Sequence, residues 1–147
     1  MLKVSFTNEQ DALKPDKPLL RRLCRAAAPE AWRDCELSVV LVTDARIAEI
    51  NGQFLGEPRP TDVLAFPLDG PDGSDRPLAG EVVVSAERAK AEAEARGLSP
   101  GEELALYVVH GVLHLAGYDD HDPASRRGMR KREAEILAAE CLRRDAK

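Results

Sequence analysis

The sequence predicts an α+β domain in which a small mixed β-sheet carries helices packed on it, one of them a buried central helix. Three observations predict it. Strand-like and helix-like stretches follow in the order strand, helix, strand, helix, strand, strand, helix, helix, helix. The stretch Leu104–Leu115 is apolar on most faces, so a helix there must be covered on most sides. Finally, 147 residues with 44% hydrophobic and 32% charged content suit a single globular domain, residues 1–147, with a real core.

Each element has a local reason. Leu2, Val4 and Phe6 alternate with polar residues, which predicts a first strand. Pro18 opens a helix with Leu19, Leu20, Leu23, Ala26 and Ala27 inward and Arg21, Arg22 and Arg25 on a solvated face. Trp32 falls in a short connection. The β-branched run Glu36–Asp44 predicts a strand. Asp44 is placed to N-cap a helix from Ala45 to about Phe54, with Ile47, Ile50 and Phe54 as its inner stripe. After a loop at Gly56–Pro60, Thr61–Pro67 reads as a strand whose proline suits a sheet edge. Gly70–Pro77 reads as an exposed loop and Gly80–Ser85 as a further strand. Ser85 can cap a helix from Ala86 to Arg96 ending at Gly97, and Ser99-Pro100 starts the apolar helix. Asp122-Pro123 starts the last helix, with Met129, Ala134, Ile136 and Leu137 apolar.

The chemistry concentrates at the end of the central helix. All three histidines lie between residues 110 and 121. His110 and His114 are four apart, so a helix puts both imidazoles on one face, one turn apart. Gly117 is placed to end the helix, and Tyr118-Asp119-Asp120-His121 can turn back with further ligands. Two helical histidines and a third ligand beyond a glycine turn form the layout of an open, zincin-like site for one Zn²⁺ ion. The helical zinc-peptidase signature places glutamate after its first histidine as general base, whereas this chain has Gly111. A metallopeptidase is therefore disfavoured.

Other classes are constrained by composition. No apolar run reaches membrane-spanning length, and the N-terminus lacks a signal peptide's apolar region. Cys24, Cys35 and Cys141 are odd in number and show no CxxC spacing, as expected of cytoplasmic thiols. A net charge of −5 excludes a uniformly basic nucleic-acid binder. Arg126, Arg127, Arg130, Lys131 and Arg132 nevertheless put five basic residues in seven beside the histidines. That run reads either as a solvated helix face, partly neutralised by Glu133 and Glu135, or as an RNA-phosphate contact.

The stretches His110-Gly-Val-Leu-His-Leu-Ala-Gly-Tyr-Asp, Pro60-Thr-Asp-Val-Leu-Ala-Phe-Pro and Gly80-Glu-Val-Val-Val-Ser resemble, in order and spacing, the signatures of the YbeY family of bacterial metal-dependent endoribonucleases. The resemblance runs from the first strand to the helix around Met129. It implies a zinc-dependent, single-strand-specific endoribonuclease acting on the 3′ end of small-subunit rRNA and in ribosome quality control. It further implies the small ribosomal subunit or its proteins as partners and a cytoplasmic location. Two positions depart from the family. Its usual arginine, six residues before Thr61, is Leu55 here, and Arg59 in the same loop is only a candidate substitute. Its usual third histidine, ten residues after the first, is Asp120, with His121 one residue beyond. Register with Met129 favours Asp120 as third ligand, and zinc's preference for imidazole favours His121. The expected nucleophile is a water activated by the ion, or an RNA 2′-hydroxyl. A non-catalytic ribosome-assembly factor with a structural zinc is the competing expectation.

Overall fold

The protein is described by a computed structural model over residues 1–56, 61–68 and 77–145. Its strands are β1 (Lys3–Asn8), β2 (Glu36–Val42), β3 (Val63–Pro67) and β4 (Leu78–Ser85). Its helices are α1 (Lys17–Ala27), α2 (Asp44–Leu55), α3 (Ala86–Arg96), α4 (Pro100–Leu115) and α5 (Pro123–Asp145), and a short 3-10 turn holds Trp32. The order is the expected one. The loops expected around 57–60 and 69–76, and with them Arg59, lie outside the described residues.

The strands form one mixed sheet in the order β1-β2-β4-β3. β1, β2 and β4 run parallel, and β3 pairs antiparallel with β4, Leu64 opposite Val83. β3 is thus an edge strand, where Pro67 costs no ladder bond. Alternation along the strands sorts side chains onto two faces. Leu37, Val39, Leu41, Val82 and Val84 meet Leu20 and Leu23 of α1, Ala89 of α3, Val108, Val112 and Leu113 of α4, and Met129 and Ile136 of α5. On the other face, Val42, Leu64 and Val83 pack with Ile47 and Ile50 of α2. Each such burial contributes about 1.5–3 kcal/mol.

α4 lies across β3 and β4 with α1, α3 and α5 around it. Its approach to the sheet depends on Gly111. A Cβ there would sit 2.6 Å from Val82 Cγ1 and 3.1 Å from Val63 Cγ2. The position that holds glutamate in the zinc peptidases therefore faces the sheet in this chain, with no room for any side chain.

Several local expectations are corrected. The N-cap of α2 is Thr43, whose hydroxyl accepts from the Arg46 N–H, and not Asp44. Phe54 does not belong to an inner stripe: it is 67% exposed. It meets Phe66 of the edge strand β3 edge to face instead. The arginines of α1 are not simply solvated. Arg25 Nε donates to the Leu2 carbonyl at 2.9 Å, Arg22 lies 3.3 Å from buried Glu140, and Arg21 covers the Phe6 ring. Ala134 is exposed, because the inner stripe of α5 is Met129, Glu133, Ile136 and Glu140. The histidines are not fully buried either: His110 is half-buried and His114 exposed. α4 is exposed at Gly101 and Glu102, largely buried from Glu103 to Leu113, and exposed again at His114.

Candidate metal centre

Glu103, Tyr107, His110 and His114 recur at i, i+4, i+7 and i+11, so they form one polar stripe on a helix whose other residues, exposed Glu102 apart, are apolar. At its N-terminal end Glu103 is buried and bound by Arg96 at 2.5 Å. Burial and the neighbouring Glu103 charge push the Tyr107 hydroxyl well above its ordinary pKa. The stripe then reaches a groove of about 540 Å³ between α4 and β3, lined by Asp62, Val63, Phe66, His110, His114 and Asp120 among others.

The turn after α4 brings Asp120 there. Gly117 has φ 108°, a left-handed conformation that glycine adopts without strain. The Tyr118 N–H donates to the Leu113 carbonyl at 3.0 Å and the Gly117 N–H to the His114 carbonyl at 3.1 Å, which caps the helix and reverses the chain. Asp119 then accepts from the His121 N–H at 2.8 Å. Asp122 accepts from the Ser125 N–H at 2.8 Å and starts α5, and these bonds hold its carboxyl below the usual range. Between them, Asp120 Oδ2 lies 4.0 Å from His110 Nε2, and Arg126 donates to the Asp120 carbonyl at 3.3 Å.

Behind His110 stands Glu133. Its Oε2 lies 2.6 Å from His110 Nδ1, with the carboxylate 10% exposed. That bond raises the His110 pKa above 6.5 against the opposing effect of burial, helped by the charges of Glu133, Asp62 and Asp120. It also assigns the Nδ1 proton to Glu133's side and leaves the Nε2 lone pair for the groove. A carboxylate–histidine pair of this kind orients metal-ligating imidazoles, so the donors fit a divalent ion.

The expected ligands divide. His110, His114 and Asp120 share the groove, whereas the His121 side chain is 84% exposed and lies 3.5 Å from Asp119. Asp119, Asp120 and His121 do bring ligand atoms within 4.8 Å of one another. That cluster is on the surface, lacks both α4 histidines, and already uses Asp119 to hold the turn. The groove is therefore the better candidate centre, with Asp120 common to both. Of the basic run, Arg126, Arg127, Arg130 and Lys131 are exposed, and Arg132 is half-buried with a bond to the Ala26 carbonyl at 3.4 Å. At 100° per residue, Arg126 and Arg130 lie about 20° and 60° from Glu133 around α5, and Arg127 and Lys131 about 120° and 160° from it.

Sequence reasoning did not single out Glu133 or Asp62. Glu133 reads there as a countercharge within a basic run, but it is buried against His110. Its signal was the spacing Met129, Glu133, Ile136, Glu140, a core stripe that includes two carboxylates. Among the described residues, no helix is long and apolar enough to cross a membrane.

A mixed sheet carrying two imidazoles one turn apart, with carboxylates around an open groove, defines the class: a hydrolase-type domain with a candidate metal centre. The family model described as Endoribonuclease YbeY matches residues 5–140. The Endoribonuclease YbeY of Anaeromyxobacter dehalogenans (strain 2CP-C) is 40% identical over 140 residues, 95% of this chain and 72% of that protein. That of Carboxydothermus hydrogenoformans is 38% identical over 142 residues, covering 95% and 98%. The solution structure of TM1509 from Thermotoga maritima superposes with a TM-score of 0.65 at 27% identity, covering 99% of this chain and 93% of the other. The chain belongs to the YbeY endoribonuclease family.

Proposed function

We propose that this protein is a zinc-dependent, single-strand-specific endoribonuclease. It acts in the cytoplasm in rRNA processing, at the 3′ end of the small-subunit rRNA, and in ribosome quality control with the small subunit or its proteins. Family membership supports the RNA-cleaving activity. The observation that carries the metal assignment is that His110, His114 and Asp120 line one open groove, with Glu133 bonded behind His110. These three residues would hold one Zn²⁺, with His121 outside the ligand set.

A bound zinc ion would supply Lewis-acid polarisation of a phosphoryl oxygen and a lowered pKa for water. The chain's own residues do the rest. Glu133 keeps the Nδ1 proton of His110 fixed, so the ring presents Nε2 to the groove without reorganising. The Schellman turn at Gly117 and the Arg126 bond to the Asp120 carbonyl hold the carboxylate near His110 Nε2. The outer edge of β3 lines the groove, and a single RNA strand would run along it. Arg126 and Arg130 bring positive charge beside it, a role that Arg127, Lys131 and Arg132 share more distantly. Because Leu55 replaces the family's arginine, this charge, or that of Arg59, is what remains to stabilise the transition state.

The competing classes are less well supported. A structural zinc site is closed by its protein ligands, but here the groove is open and His114 exposed. A peptidase would need a base at position 111, which has no room for a side chain. Incubation of the zinc-loaded protein with single-stranded rRNA fragments, casein and a His114→Ala control separates the three. The expected result is RNA cleavage abolished by chelation and by His114→Ala, with casein intact. Casein cleavage, or no cleavage of RNA at full zinc occupancy, would overturn the proposal.

A further inference from the structure

A second pocket lies on the opposite side of β3 from the groove. It holds about 300 Å³ and is walled by Ile50 and Phe54 of α2, Phe66 of β3 with Leu68 just beyond that strand, and Val83 of β4, with Arg46 and Glu81 as its charged members. Five of its seven lining residues are apolar, and Arg46 and Glu81 are the charged two. Phe54 is 67% exposed and Leu68 40% exposed, an arrangement that costs apolar hydration without serving the core. The Phe54 ring is nonetheless held in place, its centroid 5.6 Å from that of Phe66 at an interplanar angle of 61°. Phe66 also lines the groove that contains His110 and His114, so the two cavities share a wall at the edge strand.

The geometry points to a base-stacking subsite: a nucleobase of single-stranded RNA stacks on Phe54 and Phe66 while a neighbouring nucleotide occupies the groove. The inference rests on the endoribonuclease reading and deepens it by naming what holds the strand beside the cleavage position. The wall shared at Phe66 argues for one strand that reaches both cavities. Every base has a π-face, so such a platform is sequence-tolerant. Bases in a duplex are already stacked on their neighbours and cannot enter, which gives the site a physical reason to prefer single strands. Arg46 suits the flanking phosphate, since its side chain is half exposed and its contact with Glu49 is a loose 3.8 Å. A peptide strand added to β3 is the competing occupant.

The test uses the full chain, an uncleavable 2′-O-methyl single-stranded oligoribonucleotide, and anisotropy to read its affinity. Phe54→Ala should weaken binding about tenfold or more, and Phe54→Trp should keep it. Melting curves check that both variants are folded, as expected for an exposed position. An abasic nucleotide at one position should cost the wild type a similar factor and cost Phe54→Ala nothing further. Equal affinity of Phe54→Ala and wild type in a protein that cleaves RNA overturns the subsite alone. So does the absence of any abasic-sensitive position, the result expected if a peptide is the true occupant. A wild-type protein that neither binds nor cleaves RNA brings down the endoribonuclease reading itself.

Discussion

Replacing Glu133 by glutamine removes the charge behind His110 while keeping a side chain of the same shape. The 2.6 Å contact to Nδ1 joins a carboxylate that is 10% exposed to a ring that is 34% exposed, so solvent screens it little. Loss of such an outer partner costs roughly 10–100-fold in metal affinity, or about 1.4–2.8 kcal/mol. Competition against a chromophoric chelator at neutral pH measures it. The metal-free protein gives a second readout. Its His110 pKa is raised above 6.5, so the pair's stabilisation is fully present below 6.5 and is lost as pH rises through the raised folded value. Glu133→Gln should flatten that slope. Zinc needs the neutral ring, so wild-type affinity should rise with pH over the same window. A Glu133→Gln protein that binds zinc within about twofold of wild type, with an unchanged pH dependence of stability, would refute the role given to this pair.

Three other outcomes follow from the geometry. Asp120→Ala should lose most of its zinc and His121→Ala little, as read by metal content of the purified proteins; the reverse would return His121 to the ligand set. Arg126→Ala with Arg130→Ala should lower the salt dependence of single-stranded RNA binding by about 0.7 in log–log slope per lost phosphate contact. The outward pair Arg127 and Lys131 should change it less, and equal effects would mean that helix orientation does not matter. Gly111→Ala should cost about 1–3 kcal/mol by overpacking against Val82, which exceeds or offsets the ~1 kcal/mol gained in helix propensity. A clear rise in melting temperature would show that α4 does not depend on that close approach.

Much of the fold was legible because it is written in local pattern. Ser85 does accept from the Arg88 N–H and cap α3, and Gly117 does end α4, since capping depends on residues within one turn. Pro67 marks an edge strand for an equally local reason. Burial across elements was less legible. Phe54 matched the helical period of Ile47 and Ile50, but it meets the sheet at the edge strand, beside Phe66, a placement that periodicity does not carry. At the site, the spacing of His110 and His114 was sufficient to bring both to one groove. Glu133 was hidden because a carboxylate among arginines looks like a solvated face until the rotation of α5 against α4 is known. The basic residues of α1 were misread for the same reason: Arg25 and Arg22 find their partners on β1's flank and on α5, far away in sequence.

The most direct test is the initial rate of single-stranded rRNA cleavage as zinc is added back to metal-free protein. The account predicts no cleavage without metal, a rate that climbs linearly to saturation at one equivalent, and no response from Asp120→Ala over the same range. Cleavage that persists in the metal-free protein, or a fully loaded protein that leaves the RNA intact, would contradict it.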